Sequence, residues 1–216
     1  MKLYNVNLSN FATKSRLVIY EKGANVEIVP VPGAGPTSPE YRVINPLGKI
    51  PCLDADGLII AESETINEYL EDKFPSPRLL PASPEGKARV RAFTRFHDLY
   101  LEPPLRAMFA HLNPKTRDET VVTEKLADVQ SRLDQLETML APDGFAAGAD
   151  FTLADCALAP TIFFVTNLLP AFGAKPPLEG RPRLAAWWSK VQTRPSVQKG
   201  LAEMSEALKA MMGAGN

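Results

Sequence analysis

Two polar residues, Glu62 and Ser63, stand where a short apolar run gives way to a helical pattern. Ile66 and Leu70 give that helix an apolar face at helical spacing. The free backbone N–H groups of a helix start, together with a serine hydroxyl, form a cradle for a carboxylate. The Glu62 carboxylate can accept a hydrogen bond from an ammonium group. The pair therefore suits the head of an amino acid, although Ser63 could also serve only as a helix cap.

A second candidate feature, the dipeptide Ile50–Pro51, opens the strand that comes before this helix. A proline at the first position of a strand cannot donate a hydrogen bond to the sheet. The residue before it can therefore keep its backbone groups available for a ligand. The alternative is that Pro51 is an ordinary proline at a strand edge.

The elements that must position these residues follow from local patterns in the first third of the chain. Turn-forming residues at 54–57 join two short apolar runs and predict a hairpin directly before the helix at Ser63. The preceding elements are a strand at 2–6, a helix at 14–22, a strand at 26–31 and a short helix that begins after Ser38. This order predicts a small mixed sheet with helices on its faces over residues 1–76.

The remainder of the chain shows helical patterns only. A proline-rich linker covers residues 77–84, and an all-α helical bundle follows over residues 85–216. Within it, Thr152 and Asp155 resemble a capping box at the start of a nearly all-apolar helix. A helix that is apolar all round belongs at the centre of a domain. The fold class is therefore α+β with two domains.

Composition excludes several classes of function. The net charge of −1 gives no electrostatic reason to expect nucleic acid or an acidic membrane surface as a partner. No apolar run approaches the ~18 residues of a membrane span. The two histidines and two cysteines show no metal-ligand spacing, so we expect no metal. Cys52 and Cys156 lie in apolar surroundings and are expected to be reduced, buried thiols, which fits a cytoplasmic location.

The segment from Asn45 to Leu70, NPLGKIPCLDADGLIIAESETINEYL, closely resembles the N-terminal half of the cytosolic glutathione transferases. This resemblance implies a thioredoxin-like first domain, a helical second domain, glutathione as co-substrate and a homodimer. It implies that Ile50 pairs through its backbone with the cysteinyl part of glutathione beside a cis-Pro51. It further implies that Glu62 and Ser63 hold the γ-glutamyl head and that Lys49 helps to bind the glycine end.

Such a site must turn the glutathione thiol into a thiolate, and a hydrogen-bond donor aimed at the sulfur favours that anion. Alignment on Gly23 places Ser9 where the serine-type (theta-, phi- and zeta-like) members of the family carry their activating serine. Asn10 is the main rival and Asn7 the third candidate, since either amide could donate. A further alternative is that Ser9 is only a loop residue or a helix cap. Phe11 falls where cysteine-type members carry their cysteine, which disfavours thiol-exchange chemistry.

The resemblance implies a detoxifying glutathione S-transferase, in which the thiolate attacks a small hydrophobic electrophile. The pocket for that electrophile would be lined by the helical domain. One alternative is a non-catalytic binding or regulatory protein of the same fold, like the starvation-protein relatives. Those relatives often lose the glutathione-site residues, whereas this chain keeps Ile50–Pro51 and Glu62–Ser63. Another alternative is a more specialised glutathione-dependent lyase or etherase.

Overall fold

The chain forms two compact units in the computed structural model, which describes residues 1–213. The first unit combines Met1–Leu79 with the C-terminal segment that begins at Arg194, and the second unit is Leu80–Thr193. The chain thus leaves the first unit after Leu79 and returns to it at Arg194. Predictions for residues 214–216 lie outside the described part of the chain.

The first unit is a four-stranded sheet with helices. Its elements are β1 (Lys2–Asn5), α1 (Asn10–Lys22), β2 (Glu27–Pro30), α2 (Pro39–Arg42), β3 (Cys52–Ala55), β4 (Leu58–Ala61), α3 (Ser63–Lys73) and α9 (Pro195–Gly213). The strand order is β2-β1-β3-β4. β1 pairs with β2 in parallel, whereas β3 is antiparallel to both β1 and β4. The predicted mixed four-stranded sheet is confirmed.

Helix α1 begins four residues earlier than the apolar pattern predicts. Ser9 is its N-cap, and the Ser9 hydroxyl accepts a hydrogen bond of 3.2 Å from the Ala12 N–H. An N-cap serine satisfies one of the free N–H groups of the first turn. The helix ends at Gly23, whose φ of 56° is left-handed and suits glycine best. The first turn, Asn10 to Thr13, has its apolar residues Phe11 and Ala12 side by side between two polar ones, so it shows no helical spacing that apolar periodicity could reveal.

The second unit contains helices only among the described residues. Its α-helices are α4 (Pro84–Phe96), α5 (Glu102–Met108), α6 (Glu119–Met139), α7 (Leu153–Leu168) and α8 (Pro182–Val191). A π-helical segment, His97–Leu101, joins α4 to α5. Pro103 and Pro104 lie in the first turn of α5, where the missing N–H groups cost least.

Helix α7 is the core helix of the second unit, as its composition predicts. The Asp155 carboxylate accepts hydrogen bonds of 2.8 Å from the Thr152 N–H, the Ala146 N–H and the indole N–H of Trp187. The expectation that no run reaches membrane-spanning length is wrong, because Leu153–Phe172 is continuous, long and apolar enough by composition. However, 83% of its apolar window is buried inside the protein, as in a core helix.

Helix α9 packs on α1 within the first unit. A Cβ added to Gly200 would lie 2.7 Å from Cδ2 of Leu17, so glycine permits this close approach. Contacts therefore assign the last helix to the first unit, although sequence order places it after the helical segment. The sequence-based boundaries of 1–76, 77–84 and 85–216 stay a prediction.

Candidate functional site

The sheet register gathers the predicted site residues at one end of the first unit. Tyr4 near the end of β1 pairs with Cys52 at the start of β3, and Cys52 pairs with Ala61 at the end of β4. Three segments therefore leave or enter the sheet at the same end: the loop that leads to Ser9, the Ile50–Pro51 dipeptide and the Glu62–Ser63 pair. The sequence alone did not establish this juxtaposition, because it depends on the antiparallel placement of β3 beside β1.

A turn braces the backbone just before Ile50. The carbonyl oxygen of Lys49 accepts hydrogen bonds of 2.8 Å from both the Tyr41 hydroxyl and the Asn45 side-chain amide. Asn45 also accepts a bond from the Leu47 N–H, and Gly48 takes a left-handed φ of 59°. A tyrosine hydroxyl is protonated at neutral pH and can donate, and burial raises the pKa of Tyr41 further. The Lys49 side chain is exposed and its backbone is fixed.

The Ile50–Pro51 peptide bond is cis, as the family resemblance implies. Ile50 is half-buried, and the ladder of β3 with its neighbours starts two residues later, at Cys52. Ile50 thus stands at the open end of the strand, ahead of the sheet pairing. An amide of a peptide ligand can pair with a backbone at such a position, in the manner of strand addition.

Glu62 and Ser63 form the sharp entry into α3. Glu62 has a φ of 68°, a left-handed value that is uncommon outside glycine, and its side chain is exposed and makes no capping hydrogen bond. Such a conformation costs about 1–3 kcal/mol and persists where the surrounding structure holds it, often at functional sites. Ser63 begins the helix and is only 6% exposed. The arrangement leaves the first N–H groups of α3 facing away from the helix body, where an anion can bind.

Ser9 and its rival Asn10 differ in accessibility. The Ser9 side chain is half-buried, and its hydroxyl oxygen already accepts the bond from Ala12. A hydroxyl that accepts one hydrogen bond still has its own hydrogen to donate. Asn10 is fully buried in the first turn of α1, and Asn7 accepts hydrogen bonds from Asn5 and Arg16. Accessibility therefore favours Ser9, while its role in chemistry stays a prediction.

A buried ion pair beside Ser63 was missed by the sequence analysis. The ammonium of Lys14 on α1 lies 2.7 Å from the carboxylate of Glu64 on α3, and the Lys14 side chain is fully buried. Charged residues on a helix are usually solvent-exposed, so the sequence offered no reason to place Lys14 inside. The pair fastens the two helices whose N-terminal ends carry Ser9 and Ser63.

The two cysteines lie in buried positions, as the sequence-based expectation has it. Both cysteines are buried and unpaired with each other, and burial raises the pKa of the Cys52 thiol. Within residues 1–213, no group of three or more His, Cys, Asp or Glu side chains could hold a metal ion. The expectation of a metal-free protein stays a prediction.

Comparison with known proteins supports the family resemblance over both units. Residues 3–78 match the glutathione S-transferase N-terminal domain family, and residues 96–195 match the glutathione S-transferase C-terminal domain family. The chain is 33% identical over 217 residues to glutathione S-transferase 3 of Zea mays, covering 94% of this chain and 93% of that protein. It is also 28% identical over 218 residues to a stringent starvation protein A homolog of Coxiella burnetii, covering 99% of this chain and 97% of the relative.

A solved structure agrees with these sequence matches. The crystal structure of glutathione transferase F7 from Populus trichocarpa superposes with a TM-score of 0.81 at 27% identity, covering 94% of this chain and 98% of the other. The predicted two-part architecture and the predicted enzyme family are both confirmed. The chain therefore belongs to the glutathione S-transferase family of enzymes.

Proposed function

We propose that this protein binds glutathione across Lys49, Ile50, Pro51, Glu62 and Ser63 and activates its thiol as a thiolate for attack on a small hydrophobic electrophile. The observation that carries the proposal is the register Tyr4–Cys52–Ala61, which brings the three predicted segments to one end of the sheet. The α-carboxylate of the γ-glutamyl head would bind at the start of α3, and its ammonium would meet the exposed Glu62 carboxylate.

Ser9 is the residue that we propose for thiol activation. A free thiol has a pKa of about 8.5, so the site must favour the anion to hold a thiolate near neutral pH. The Ser9 hydroxyl can donate to the sulfur while it accepts from Ala12, and the N-terminal end of α1 adds a partial positive charge. Ser9 keeps its own proton throughout, so no strong base is needed.

The first experiment measures glutathione binding by calorimetry for the wild type, Ser63→Ala and Ser189→Ala. Ser189 lies exposed on α8 in the second unit and serves as the control. We expect the wild type and Ser189→Ala to bind alike and Ser63→Ala to bind more weakly. If the wild type fails to bind at millimolar glutathione, the proposed catalytic function is wrong.

The second experiment measures the pKa of the bound thiol from the ultraviolet absorbance of the thiolate. Ser83→Ala is a matched control for Ser9→Ala, because Ser83 is also an N-cap whose hydroxyl accepts from the N–H three residues on, that of Gly86. Both substitutions remove a cap, but only Ser9→Ala is expected to raise the thiol pKa toward 8.5 and to lower kcat, by about 10²–10³. An unchanged thiol pKa would move attention to Asn10.

A second candidate function is a non-catalytic binding protein, which the similarity to the starvation protein homolog favours. Glutathione affinity, which is simple to measure, distinguishes the two candidate functions. A binding protein of this kind need not retain glutathione affinity, whereas the transferase must. The same calorimetric titration therefore separates them.

We further propose that the protein is a cytoplasmic homodimer that serves detoxification. Leu58 and Ile59 on the edge strand β4 are 56% and 40% exposed, and apolar side chains on an exposed edge often mark an interface. The two buried cysteines form no disulfide, which suits a reducing compartment. Sedimentation velocity tests the dimer, with Leu58→Lys expected to shift it toward monomer, and cell fractionation tests the location.

A further inference from the structure

The guanidinium of Arg16 on α1 is buried and faces the loop that carries Ser9. Its Nη1 donates a hydrogen bond of 2.9 Å to the side-chain oxygen of Asn7, and its Nη2 donates one of 2.9 Å to the Asn7 carbonyl. The side chain is only 1% exposed. One planar guanidinium thus holds both the backbone and the side chain of the residue two positions before Ser9.

A second path runs from the same guanidinium to Ser9 itself. Nη2 of Arg16 also donates to the Thr13 hydroxyl at 2.5 Å, and that hydroxyl donates to the Ser9 carbonyl at 2.9 Å. Thr13 is fully buried. The loop is therefore fixed at Asn7 directly and at Ser9 through Thr13, which restricts the direction in which the Ser9 hydroxyl can point.

The charge that makes this brace possible comes from the far end of the sequence. Glu203 on α9, 187 residues from Arg16, places its carboxylate 2.7 Å from Nη1 and accepts a bond of 2.8 Å from the Tyr20 hydroxyl. Burial lowers the pKa of Arg16 and the Glu203 carboxylate opposes that effect. A buried cation without such a partner would be costly to hold in place.

We propose that Arg16 and Glu203 are positioning residues for Ser9, so that the last helix of the chain takes part in activating the glutathione thiol. This inference rests on the proposed function. It gives a role to helix α9, to which the family resemblance assigned none. A donor must point at the sulfur to stabilise a thiolate, and a displacement of about 1 Å in an active site can cost about 10²-fold in rate.

The structure also supplies a matched control for mere helix docking. Glu21 on α1 accepts hydrogen bonds from Arg194, at 2.5 and 3.2 Å, and from the Ser196 hydroxyl at the start of α9. This contact joins the same two helices at the end of α1 opposite to the loop at residues 7–9. Loss of either carboxylate weakens the packing of α9, but only Glu203 supports the Arg16 brace.

The experiment compares Arg16→Lys, Glu203→Gln and Glu21→Gln in the full-length protein. The readouts are the pKa of the bound glutathione thiol, the glutathione Kd, kcat and the thermal unfolding midpoint. Arg16→Lys keeps the charge but loses the planar fork, so a change reports geometry. We expect Arg16→Lys and Glu203→Gln to raise the thiol pKa and lower kcat by about tenfold or more, with little change in Kd. Glu21→Gln should lower the unfolding midpoint alone.

Thr13 gives a test that remains valid if Arg16→Lys fails to fold. Thr13→Val removes the hydroxyl between Arg16 and the Ser9 carbonyl while it keeps the shape of the side chain. We expect it to raise the thiol pKa, and Thr13→Ser to restore the wild-type value.

Two results would overturn the positioning role while the proposed function stands. The first is a wild-type protein that lowers the thiol pKa, together with Arg16→Lys, Glu203→Gln and Thr13→Val variants that lower it equally well. The second is a Glu21→Gln variant that raises the thiol pKa as much as Glu203→Gln does, which would indicate helix docking in general. A wild type that binds no glutathione would remove both proposals together.

Discussion

The buried ammonium of Lys14 lies 2.7 Å from the carboxylate of Glu64, the residue that follows Ser63. The pair connects α1 to α3 directly beneath the two helix starts that we propose as the glutathione site. Because the ammonium is fully buried, its cost of desolvation depends on that one carboxylate and on its other neighbours.

Removing one member of this pair should lower the stability of the protein far more than removing both. We expect Lys14→Met and Glu64→Leu each to lower the free energy of unfolding. The loss should be larger, up to about 3–5 kcal/mol, for Glu64→Leu, which keeps the Lys14 charge buried but removes its carboxylate partner. The double variant should recover most of that loss, because no buried charge remains. Urea unfolding of the four proteins measures the coupling. Losses that simply add would show that the two side chains act independently.

The Tyr41 hydroxyl offers a test of how firmly the Lys49 carbonyl must be held. Tyr41→Phe removes one of the two hydrogen-bond donors to the Lys49 carbonyl and leaves the other, the Asn45 amide. We expect a loss of about 0.5–1.5 kcal/mol in stability, together with weaker glutathione binding, because the turn before Ile50 loosens. Tyr100→Phe, at an exposed tyrosine of the second unit, is the control. Unchanged glutathione affinity in Tyr41→Phe would show that one donor suffices.

Asp155 should be among the most sensitive positions of the second unit. Asp155→Ala would leave the N–H groups of Ala146, Thr152 and Trp187 buried without their acceptor. Each such group costs about 1–3 kcal/mol, so we expect a loss of about 3 kcal/mol or more. Denaturant unfolding followed by tryptophan fluorescence measures it. A loss below 1 kcal/mol would show that other groups replace the carboxylate.

The same residue gives a pH-dependent prediction. Burial raises the pKa of Asp155, and the hydrogen bonds from Trp187, Ala146 and Thr152 oppose that effect without cancelling it. The folded state then binds a proton more tightly than the unfolded state, so this group's contribution to stability falls as pH rises from about 3.9 toward the folded pKa. Asp155→Asn should lack this component, whereas Asp143→Asn, at an exposed position, should retain it. Parallel pH profiles for wild type and Asp155→Asn would contradict the raised pKa.

The two cysteines should not react with thiol reagents in the native protein. Cys52 and Cys156 are both buried, and the pKa of the Cys52 thiol is raised by burial, although a hydrogen bond with Tyr41 acts against that rise. The thiolate is the reactive form. We expect a thiol-specific disulfide reagent to label neither residue under native conditions and both in denaturant, with Cys52→Ser losing one. Rapid native labelling would instead place a thiol within reach of solvent.

Local signals in the sequence predicted most of the fold. The helix start after Ser38, the hairpin at 54–57 and the capping box at Thr152 all lie where their residue chemistry indicated. The start of α1 was misplaced, because its first turn mixes polar and apolar residues without helical spacing, and only the Ser9 cap indicates it. Such signals act within a few residues of the chain, so they can be seen in the sequence.

The sequence predicted the residues proposed to contact glutathione, but it did not predict the buried ion pairs that hold their helices in place. The residues proposed for the glutathione site follow from a resemblance, but no sequence pattern joins Lys14 to Glu64 or Arg16 to Glu203. These pairs depend on tertiary packing between helices, and in the second case on partners 187 residues apart. Buried cations on a helix look the same in a sequence as solvated ones, since the difference lies in what covers them.

The assignment of α9 to the first unit determines the order in which the two units are completed during synthesis. Domains generally fold as they emerge, beginning from the N-terminus. Here Met1–Leu79 emerges first, but the helix that covers Leu17 and neutralises Arg16 follows only after Arg194. The inserted segment Leu80–Thr193 can bury its own core earlier than that. The unit whose synthesis begins first is therefore the one completed last.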